Sequence, residues 1–259
     1  MIDPAGALFA LGFMLSLALV GWALSLLEDN VTVVDSLWPQ FFLFGAFGHV
    51  LWLSAWTPRL WVMTLLALWA FRLSLHLHRR NHGQPEDRRY QAIRARNQPG
   101  FAWKSVYLVF GLQAVLAWLI AWPLLAALGA RTPLGWLDAL ALVLVLLGIS
   151  LETLADRQLA AFRADPGNAG QVMDRGLWRY SRHPNYFGEA LVWWGFWLFS
   201  AASGAAWTVF SPLLMTLLLL KVSGVSLLER DIAERRPGYR AYVARTSAFI
   251  PWPPRGGTS

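Results

Sequence analysis

Long apolar runs, separated by short polar connections, make up most of this chain. Each run approaches the roughly 20 residues that a helix needs to cross the hydrocarbon core of a bilayer. The pattern therefore predicts an all-α integral membrane bundle of about seven transmembrane helices. No repeat, low-complexity tract or linker interrupts it, so residues 1–259 are predicted to form a single membrane-embedded domain. The predicted spans are residues 5–27, 34–56, 60–78, 105–128, 133–151, 186–206 and 208–228.

The last two predicted spans are joined by a very short link at residues 205–207. A link of this length predicts an antiparallel hairpin. Four glycines are expected to permit close approach of these helices, since small residues favour helix packing in membranes. They are Gly188, Gly195, Gly204 and Gly224.

Composition favours a membrane protein over a water-soluble one. Of the 259 residues, 56% are hydrophobic and 14% are charged, whereas soluble domains average about 25% charged residues. The first apolar run follows an acidic start and is too long for a signal-peptide core, so it is expected to remain as the first helix. The chain has no cysteine, which excludes disulfides and thiolate chemistry. Neither a metal site nor a nucleic-acid partner is predicted.

Basic residues indicate the orientation in the membrane. They concentrate in the connections after the third and fifth predicted spans and in the C-terminal tail, while the alternate connections contain only Arg59 and Arg131. The positive-inside rule then predicts an external N-terminus and a cytoplasmic C-terminus in a cell membrane. The net charge of +7 agrees with this topology and with contact to anionic membrane lipid.

Charged residues inside apolar runs mark candidate sites, because each costs about 2.5–3.5 kcal/mol at the bilayer centre and usually faces a cavity or a partner. Glu152, Asp156 and Arg163 are spaced so that they fall in one stripe of a continuous helix. The stripe either faces one ligand or forms a helix-end cluster in headgroup water. The other charged candidates are Asp35, Arg72, Glu189 and Lys221.

The polar segment 176–189, Gly-Leu-Trp-Arg-Tyr-Ser-Arg-His-Pro-Asn-Tyr-Phe-Gly-Glu, leads from a basic connection into an apolar helix. Pro184 fits the first turn of that helix, where its missing N–H has no partner to lose. The helix start directs free N–H groups and a positive dipole toward an anion beside Arg179, Arg182 and His183. The alternative interpretation is an interfacial helix cap with an aromatic belt.

Two further polar groups accompany this segment. Asn185 and Glu189 are four residues apart and share a helix face, where together they could hold an amide or a ribose. In the tail, Tyr239 and Tyr242 lie among arginines. They either close over a bound cofactor or anchor an amphipathic tail on the lipid surface.

These segments resemble the steroid 5α-reductase-like membrane proteins, specifically the bacterial DUF1295 branch. The resemblance is carried by residues 35–38, 179–189, 239–242 and 246–251. It implies a seven-helix bundle that binds NADPH in its cytosolic half and reduces an activated C=C bond in a lipophilic substrate, which is steroid-like, isoprenoid or fatty. The Arg-His-Pro-x-Tyr motif also occurs, more loosely, in isoprenylcysteine carboxyl methyltransferases. An S-adenosylmethionine-dependent methyltransferase of the isoprenylcysteine or phospholipid type is therefore the alternative.

Two other classes fit the sequence less well. A transporter would show an internal repeat or broken helices, and a non-catalytic membrane protein would need no paired acids and amides at a common depth. The chain also lacks the Gly-x-Gly-x-x-Gly loop of a Rossmann domain, so the bundle itself must hold any dinucleotide. The residues that the resemblance and the polar segment assign to the cofactor are Glu152, Asp156, Arg163, Arg179, Tyr180, Arg182, His183, Asn185, Tyr186, Glu189, Arg230, Tyr239 and Tyr242.

The steroid reductases polarise the carbonyl of an enone with a carboxylate on helix 2 and a tyrosine on helix 3. Asp35 fits the first position, whereas Trp69 stands at the second and residues 60–78 contain no Tyr. An indole N–H donates a hydrogen bond but is not a proton donor of ordinary acidity. The predicted catalytic residues are Asp35, Trp69 and Arg72, with the final proton coming from water, His76 or His78.

Overall fold

The computed structural model describes residues 3–222 and 238–255. In these residues the secondary structure is helical, apart from one isolated β-bridge between Ser181 and Ser247, so the all-α prediction is confirmed. π-Helical segments occur at Val106–Gly111, within α5, and at Leu218–Val222, after α8. The helices are α1 (Pro4–Glu28), α2 (Val33–Leu53), α3 (Val62–Asn81), α4 (Arg88–Arg96), α5 (Phe101–Gly129), α6 (Trp136–Ala164), α7 (Pro184–Ala202), α8 (Phe210–Leu217) and α9 (Tyr239–Arg245).

Three helices in the described part of the chain, α1, α5 and α6, are long and apolar enough to cross a membrane. They indicate a membrane protein. A shorter apolar helical stretch covers Ala206–Lys221. Helices α2, α3 and α7 also coincide with predicted spans, but they lack the same combination of length and hydropathy. The total of about seven spans therefore stays a prediction.

The chain divides into two compact units, residues 1–135 with 199–208 and residues 136–198 with 209–259. The first unit contains α1 to α5, and α2 lies at its centre, in contact with α1, α3 and α5. The second unit contains α6, most of α7, α8 and α9. The prediction of one domain over residues 1–259 is not tested by this division.

Glycines on α2 allow α1 to approach it closely. A Cβ atom built on Gly45 would lie 2.1 Å from Met14, and one built on Gly48 would lie 2.7 Å from Phe13. The side chains of α1 therefore fill the space that the glycines of α2 leave. Close packing of this kind is the main attraction between helices where no water is displaced.

Helices α6 and α7 pack backbone against backbone in the second unit. A Cβ atom on Gly148 would lie 2.6 Å from the carbonyl oxygen of Gly188, and one on Gly188 would lie 2.7 Å from the backbone nitrogen of Glu152. A Cβ on Gly195 would meet Val145 at 2.6 Å. Gly188 and Gly195 thus allow the close approach of α7 to α6. The prediction that they allow close approach of the last two spans to each other is wrong.

The other two glycines of that prediction have different outcomes. Gly204 adopts a left-handed conformation, φ 88°, in the turn after α7, and a Cβ there would meet nothing within 4 Å. Gly224 lies outside the described residues. The wrong partner helix was therefore predicted for Gly188 and Gly195 alone.

The connection after α6 folds back onto that helix. Trp178 packs with Ala155, Phe162 and Met173 in a small apolar cluster, and its indole Nε1 donates to the carbonyl of Ala155 at 3.0 Å. Burial of an aromatic side chain with its polar atom satisfied is a strong local anchor. The anchor fixes the path of the chain just before α7 begins.

We predict that Gly188→Ala destabilises the protein, because the new methyl group would overlap the backbone of α6. Overpacking of this kind typically costs about 1–3 kcal/mol, so the melting temperature in detergent should fall. Gly12→Ala is the matched control, since a Cβ at Gly12 of α1 meets nothing within 4 Å and alanine favours a helix. Equal melting temperatures for the two variants would contradict the backbone contact.

Candidate functional site

In the first unit, Asp35 lies in the first turn of α2 with two strong donors on its carboxylate. The hydroxyl of Tyr90 donates to Oδ1 at 2.6 Å, and Arg89 donates to Oδ2 at 3.0 Å. Arg80 lies 3.8 Å from Oδ2. The side chain of Asp35 is only 13% exposed, so these contacts replace water around the carboxylate. We call Asp35, Asp87, Arg89, Tyr90 and Gln113 the Asp35 cluster.

Arg89 and Tyr90 of this cluster lie in the first turn of α4. Asp87 caps its N-terminus by accepting from the backbone N–H of Arg89 at 2.9 Å, as acidic residues commonly do. The N–H of Asp87 in turn donates to the hydroxyl of Thr32, just before α2, at 2.9 Å. The cap thus sets both the start of α4 and its position against α2.

A second ionic contact fixes the same helix to the turn between α1 and α2. Arg94 donates to both oxygens of Glu86 at 2.8 Å and to Asp29 at 3.0 Å. Glu86 also accepts from the backbone N–H of Val31 at 3.0 Å. Paired, two-pronged contacts of Arg with a carboxylate are geometrically specific, so α4 is held in one orientation.

Gln113 completes the hydrogen bonding of Tyr90. Its Nε2 donates to the Tyr90 hydroxyl at 3.0 Å, and it follows the π-helical segment of α5, a feature that often occurs at functional sites. Because the hydroxyl accepts from Gln113, its own proton points to Asp35. Burial, followed by the negative charge of Asp35, raises the pKa of Tyr90 well above its ordinary value. The phenol is therefore a neutral hydrogen-bond donor.

Of the three predicted catalytic residues, only Asp35 belongs to this cluster. Its polar partners in the described residues are Tyr90, Arg89 and Arg80, and neither Trp69 nor Arg72 is among them. Trp69 is fully buried and packs edge-to-face on Phe42 at 5.8 Å. Arg72 is half-buried on α3. Catalytic roles for Trp69 and Arg72 stay predictions.

In the second unit, the close approach of α6 and α7 brings acids and an amide together. Glu152, Asp156 and Glu189 are all buried. Asn185 donates from Nδ2 to Asp156 at 3.1 Å, whereas its Oδ1 is shielded from solvent without a hydrogen-bond partner. We call these four residues the α6–α7 cluster. It contains buried acceptors for a ligand that carries hydroxyl or amide N–H groups.

The C-terminal tail crosses the chain just before α7. Arg182 donates its backbone N–H to Ser247 at 2.8 Å and its guanidinium to the carbonyls of Val243 and Thr246 at 3.1 and 3.0 Å. The hydroxyl of Tyr242 donates to the carbonyl of Trp178. Arg182 and Tyr242 therefore hold the tail in place, and the cofactor contacts assigned to them stay predictions.

The remaining predicted cofactor residues have varied positions. His183 is buried and its ring stacks on that of Tyr186, with 5.6 Å between the ring centroids. Tyr239 is also buried, and its ring centroid lies 5.9 Å from that of Tyr242. Arg163, Arg179 and Tyr180 are exposed. Arg230 lies outside the described residues.

The contacts of Arg89, Tyr90 and Gln113 at the Asp35 cluster were not predicted from the sequence. Tyr90 lies in an Arg-rich connection, and the sequence pattern of that connection indicates only the orientation of the chain in the membrane. One signal was present: Asp87 is a helix-capping residue type, and it begins a polar helix whose single buried residue is Tyr90. A lone buried aromatic on a polar helix indicates a specific contact.

The three long apolar helices and the helical architecture of the described residues indicate a helical membrane protein. It belongs to the DUF1295 family, described as a protein of unknown function, which matches residues 21–246 and so spans both clusters. The chain is 29% identical over 282 residues to uncharacterized protein C594.04c of Schizosaccharomyces pombe, covering 94% of this chain and 79% of that protein. No solved structure matches the chain.

We predict that Asp87 stabilises the fold in a pH-dependent way. Burial opposes its ionisation, but the hydrogen bonds and charge of Arg89 outweigh burial and lower the pKa of Asp87 below its ordinary 3.8. A carboxyl with a lowered pKa contributes stability above its unfolded value, and this contribution is lost as the pH falls through the folded value. Asp87→Asn keeps the helix cap but removes the charge.

The melting temperatures of wild type and Asp87→Asn should be compared across pH in detergent. Near neutral pH the wild type should be more stable by about 0.2–1 kcal/mol, as for other partly exposed ion pairs. The difference should shrink as the pH falls below 3.8. A difference that is the same at every pH would show that the charge of Asp87 contributes nothing.

Proposed function

We propose that this protein is a membrane-embedded, NADPH-dependent reductase of an activated C=C bond in a lipophilic substrate. The observation that carries the proposal is the hydrogen-bonded pair of Asp35 and Tyr90. The resemblance to steroid reductases implies a carboxylate and a tyrosine at the substrate carbonyl, and Trp69 occupies the position expected for the tyrosine. Tyr90 supplies the missing phenol from α4 instead of α3.

The Asp35 cluster has the chemistry that stabilises an enolate. A substrate carbonyl oxygen that reaches Tyr90 would compete with Oδ1 of Asp35 for the same proton. The raised pKa of Tyr90 keeps that proton on the phenol, so the neutral hydroxyl can donate a hydrogen bond to a developing negative charge. Arg89 adds a fixed positive charge beside it. Donors fixed in advance of the reaction stabilise such charge strongly.

The α6–α7 cluster fits the polar parts of NADPH. The buried Oδ1 of Asn185 lacks a partner and matches an N–H of a carboxamide such as that of nicotinamide. Glu152 and Glu189 can accept from ribose hydroxyls. When bound, the cofactor supplies a hydride for the β-carbon of the conjugated bond. The α-carbon then takes a proton, for which water, His76 and His78 are the candidate sources.

A second candidate function is methyl transfer from S-adenosylmethionine. The buried carboxylates Glu152, Asp156 and Glu189 favour it, because the methionine part of that cofactor carries an ammonium group and a sulfonium centre. Both functions use the same cluster, so direct comparison of the two cofactors separates them.

We predict that NADPH binds and raises the melting temperature of the purified protein, and that Asn185→Ala weakens its binding by about 10- to 150-fold. Asn168→Ala is the matched control, because the Asn168 amide donates to Phe162 near the end of α6 and to Asp165 in the connection that follows, and to no member of the α6–α7 cluster. The measurement is a thermal-shift titration with NADPH and with S-adenosylmethionine. Unchanged NADPH affinity in Asn185→Ala would remove this residue from the site. Stabilisation by S-adenosylmethionine alone would establish the second candidate.

We predict that Tyr90→Phe lowers the rate of NADPH oxidation with lipophilic enones by about 10²- to 10³-fold, as loss of one oxyanion donor does. Asp35→Asn should also lose turnover. NADPH affinity should be unchanged in both, since neither residue belongs to the α6–α7 cluster. Tyr107→Phe is the matched control, because Tyr107 is 59% exposed. Full turnover in Tyr90→Phe would exclude Tyr90 from the reaction.

We further propose a bacterial cell membrane with the N-terminus outside and the C-terminus in the cytoplasm, which places the Arg-rich connections in the cytoplasm. Reporter fusions after Arg96, Gly170 and Ser259 should all give a cytoplasmic signal. A periplasmic signal from any of the three would reverse or break this topology.

A further inference from the structure

A cavity of about 290 Å³ with a mixed polar and apolar lining lies in the first unit, away from the Asp35 cluster. Asp35 and His49 are 14 residues apart on α2, which separates them by about 21 Å along the helix axis. The cavity is near the lower limit of small-ligand pockets, so it suits a small polar group. Its polar lining includes Asp3, His49, Arg131, Thr132 and Ser203.

The cavity carries charges of both signs. Asp3 caps α1 and accepts hydrogen bonds from the indole of Trp52 at 2.6 Å and from the N–H of Ala5 at 3.1 Å. These two hydrogen bonds lower the pKa of Asp3, so it carries a full negative charge. Arg131 is exposed in the turn after α5. In the described part of the chain no ion pair joins Arg131 to Asp3.

His49 adds a buried polar group to this lining. The residue is 1% exposed, and its ring lies between two residues without side chains: a Cβ on Gly6 would lie 3.2 Å from Nδ1, and one on Gly129 would lie 3.6 Å from Nε2. Nδ1 has no hydrogen-bond partner, although the carbonyls of Gly6 and Leu125 lie near the ring. A buried polar atom without a partner is destabilising, so a ligand that supplies an N–H would relieve it.

We propose that this cavity binds the phosphoethanolamine headgroup of a membrane phospholipid. The ammonium group would lie at Asp3 and His49, and the phosphate at Arg131 and Thr132. A zwitterion satisfies both separated charges at once, which a simple cation or anion cannot do. Asp3 and His49 require hydrogen-bond donors, so a primary ammonium fits and a quaternary one does not.

A lipid, rather than a free zwitterion, follows from the surroundings of the cavity. Trp207 lines it and is 54% exposed, and Trp52, bonded to Asp3, is 44% exposed. Exposed tryptophans of this kind are typical of membrane–water interfaces. Acyl chains attached to a headgroup in the cavity would contact these indoles.

The test is native mass spectrometry of the full chain from detergent with phosphatidylethanolamine, phosphatidylcholine or phosphatidylglycerol of matched acyl chains. We expect phosphatidylethanolamine to bind at least about 10-fold more tightly than phosphatidylcholine, which keeps the phosphate but has no N–H. Equal binding of the two would overturn the proposal. Free phosphoethanolamine as a competitor distinguishes the sources: displacement of the lipid at equal concentration would show that the acyl chains contribute nothing and would overturn the lipid assignment.

Asp3→Asn is the decisive variant, because asparagine caps a helix about as well as aspartate and still accepts from Trp52. It should abolish the preference for phosphatidylethanolamine over phosphatidylcholine, while the lipid-free protein still folds and unfolds in a single cooperative transition. Asp165→Asn, which changes an exposed cap in the second unit, should retain the preference. Arg131→Gln should weaken both lipids equally. Retention of the preference in Asp3→Asn would refute the ammonium site.

Discussion

Charge placed among apolar helices must be paired, and this constraint decides where the polar residues of the chain can lie. Asp35 is nearly buried and accepts from Tyr90 and Arg89. Arg59 is fully buried, and its guanidinium donates to backbone carbonyls in the turn after α5. Removing one partner of such a pair leaves an uncompensated buried charge, which is far more costly than losing the pair as a whole. Each pair therefore fixes the geometry of the elements that carry it.

The same constraint links structure to chemistry at the Asp35 cluster. Helix α4 is too short and too polar to be stable alone, and it is held by ionic contacts to the turn between α1 and α2. The hydrogen bond from Gln113 leaves the Tyr90 hydroxyl with a single direction for its own proton, toward Asp35. The hydrogen bonds that stabilise this part of the fold thus also hold the neutral phenol of Tyr90 beside the positive charge of Arg89. The requirement of stability and the proposed requirement of catalysis are met by the same hydrogen bonds.

Much of the helical architecture, but less of the sites, could be predicted from the sequence. Long apolar runs predict helices because this signal is local. Asp156 and Asn185 were both predicted to contact a cofactor, but the hydrogen bond between them depends on the packing of α6 against α7. Tyr90 could not be assigned, because its partner lies 55 residues earlier and a contact over that distance depends on packing. The wrong partner helix was predicted for Gly188 for the same reason. A small residue indicates that another element approaches closely, but it does not identify that element.

The tail shows why a motif rich in charge does not by itself define a binding site. Arg182 and Tyr242 were both assigned to a cofactor, yet their donor groups are directed at backbone carbonyls. A chain segment without regular secondary structure must satisfy each buried carbonyl with a side chain or water. Along residues 178–183 the tail supplies those side chains. At this end of α7, Arg179 and Tyr180 are exposed, so their side chains, rather than the guanidinium of Arg182, are the groups of this segment that can meet an anion.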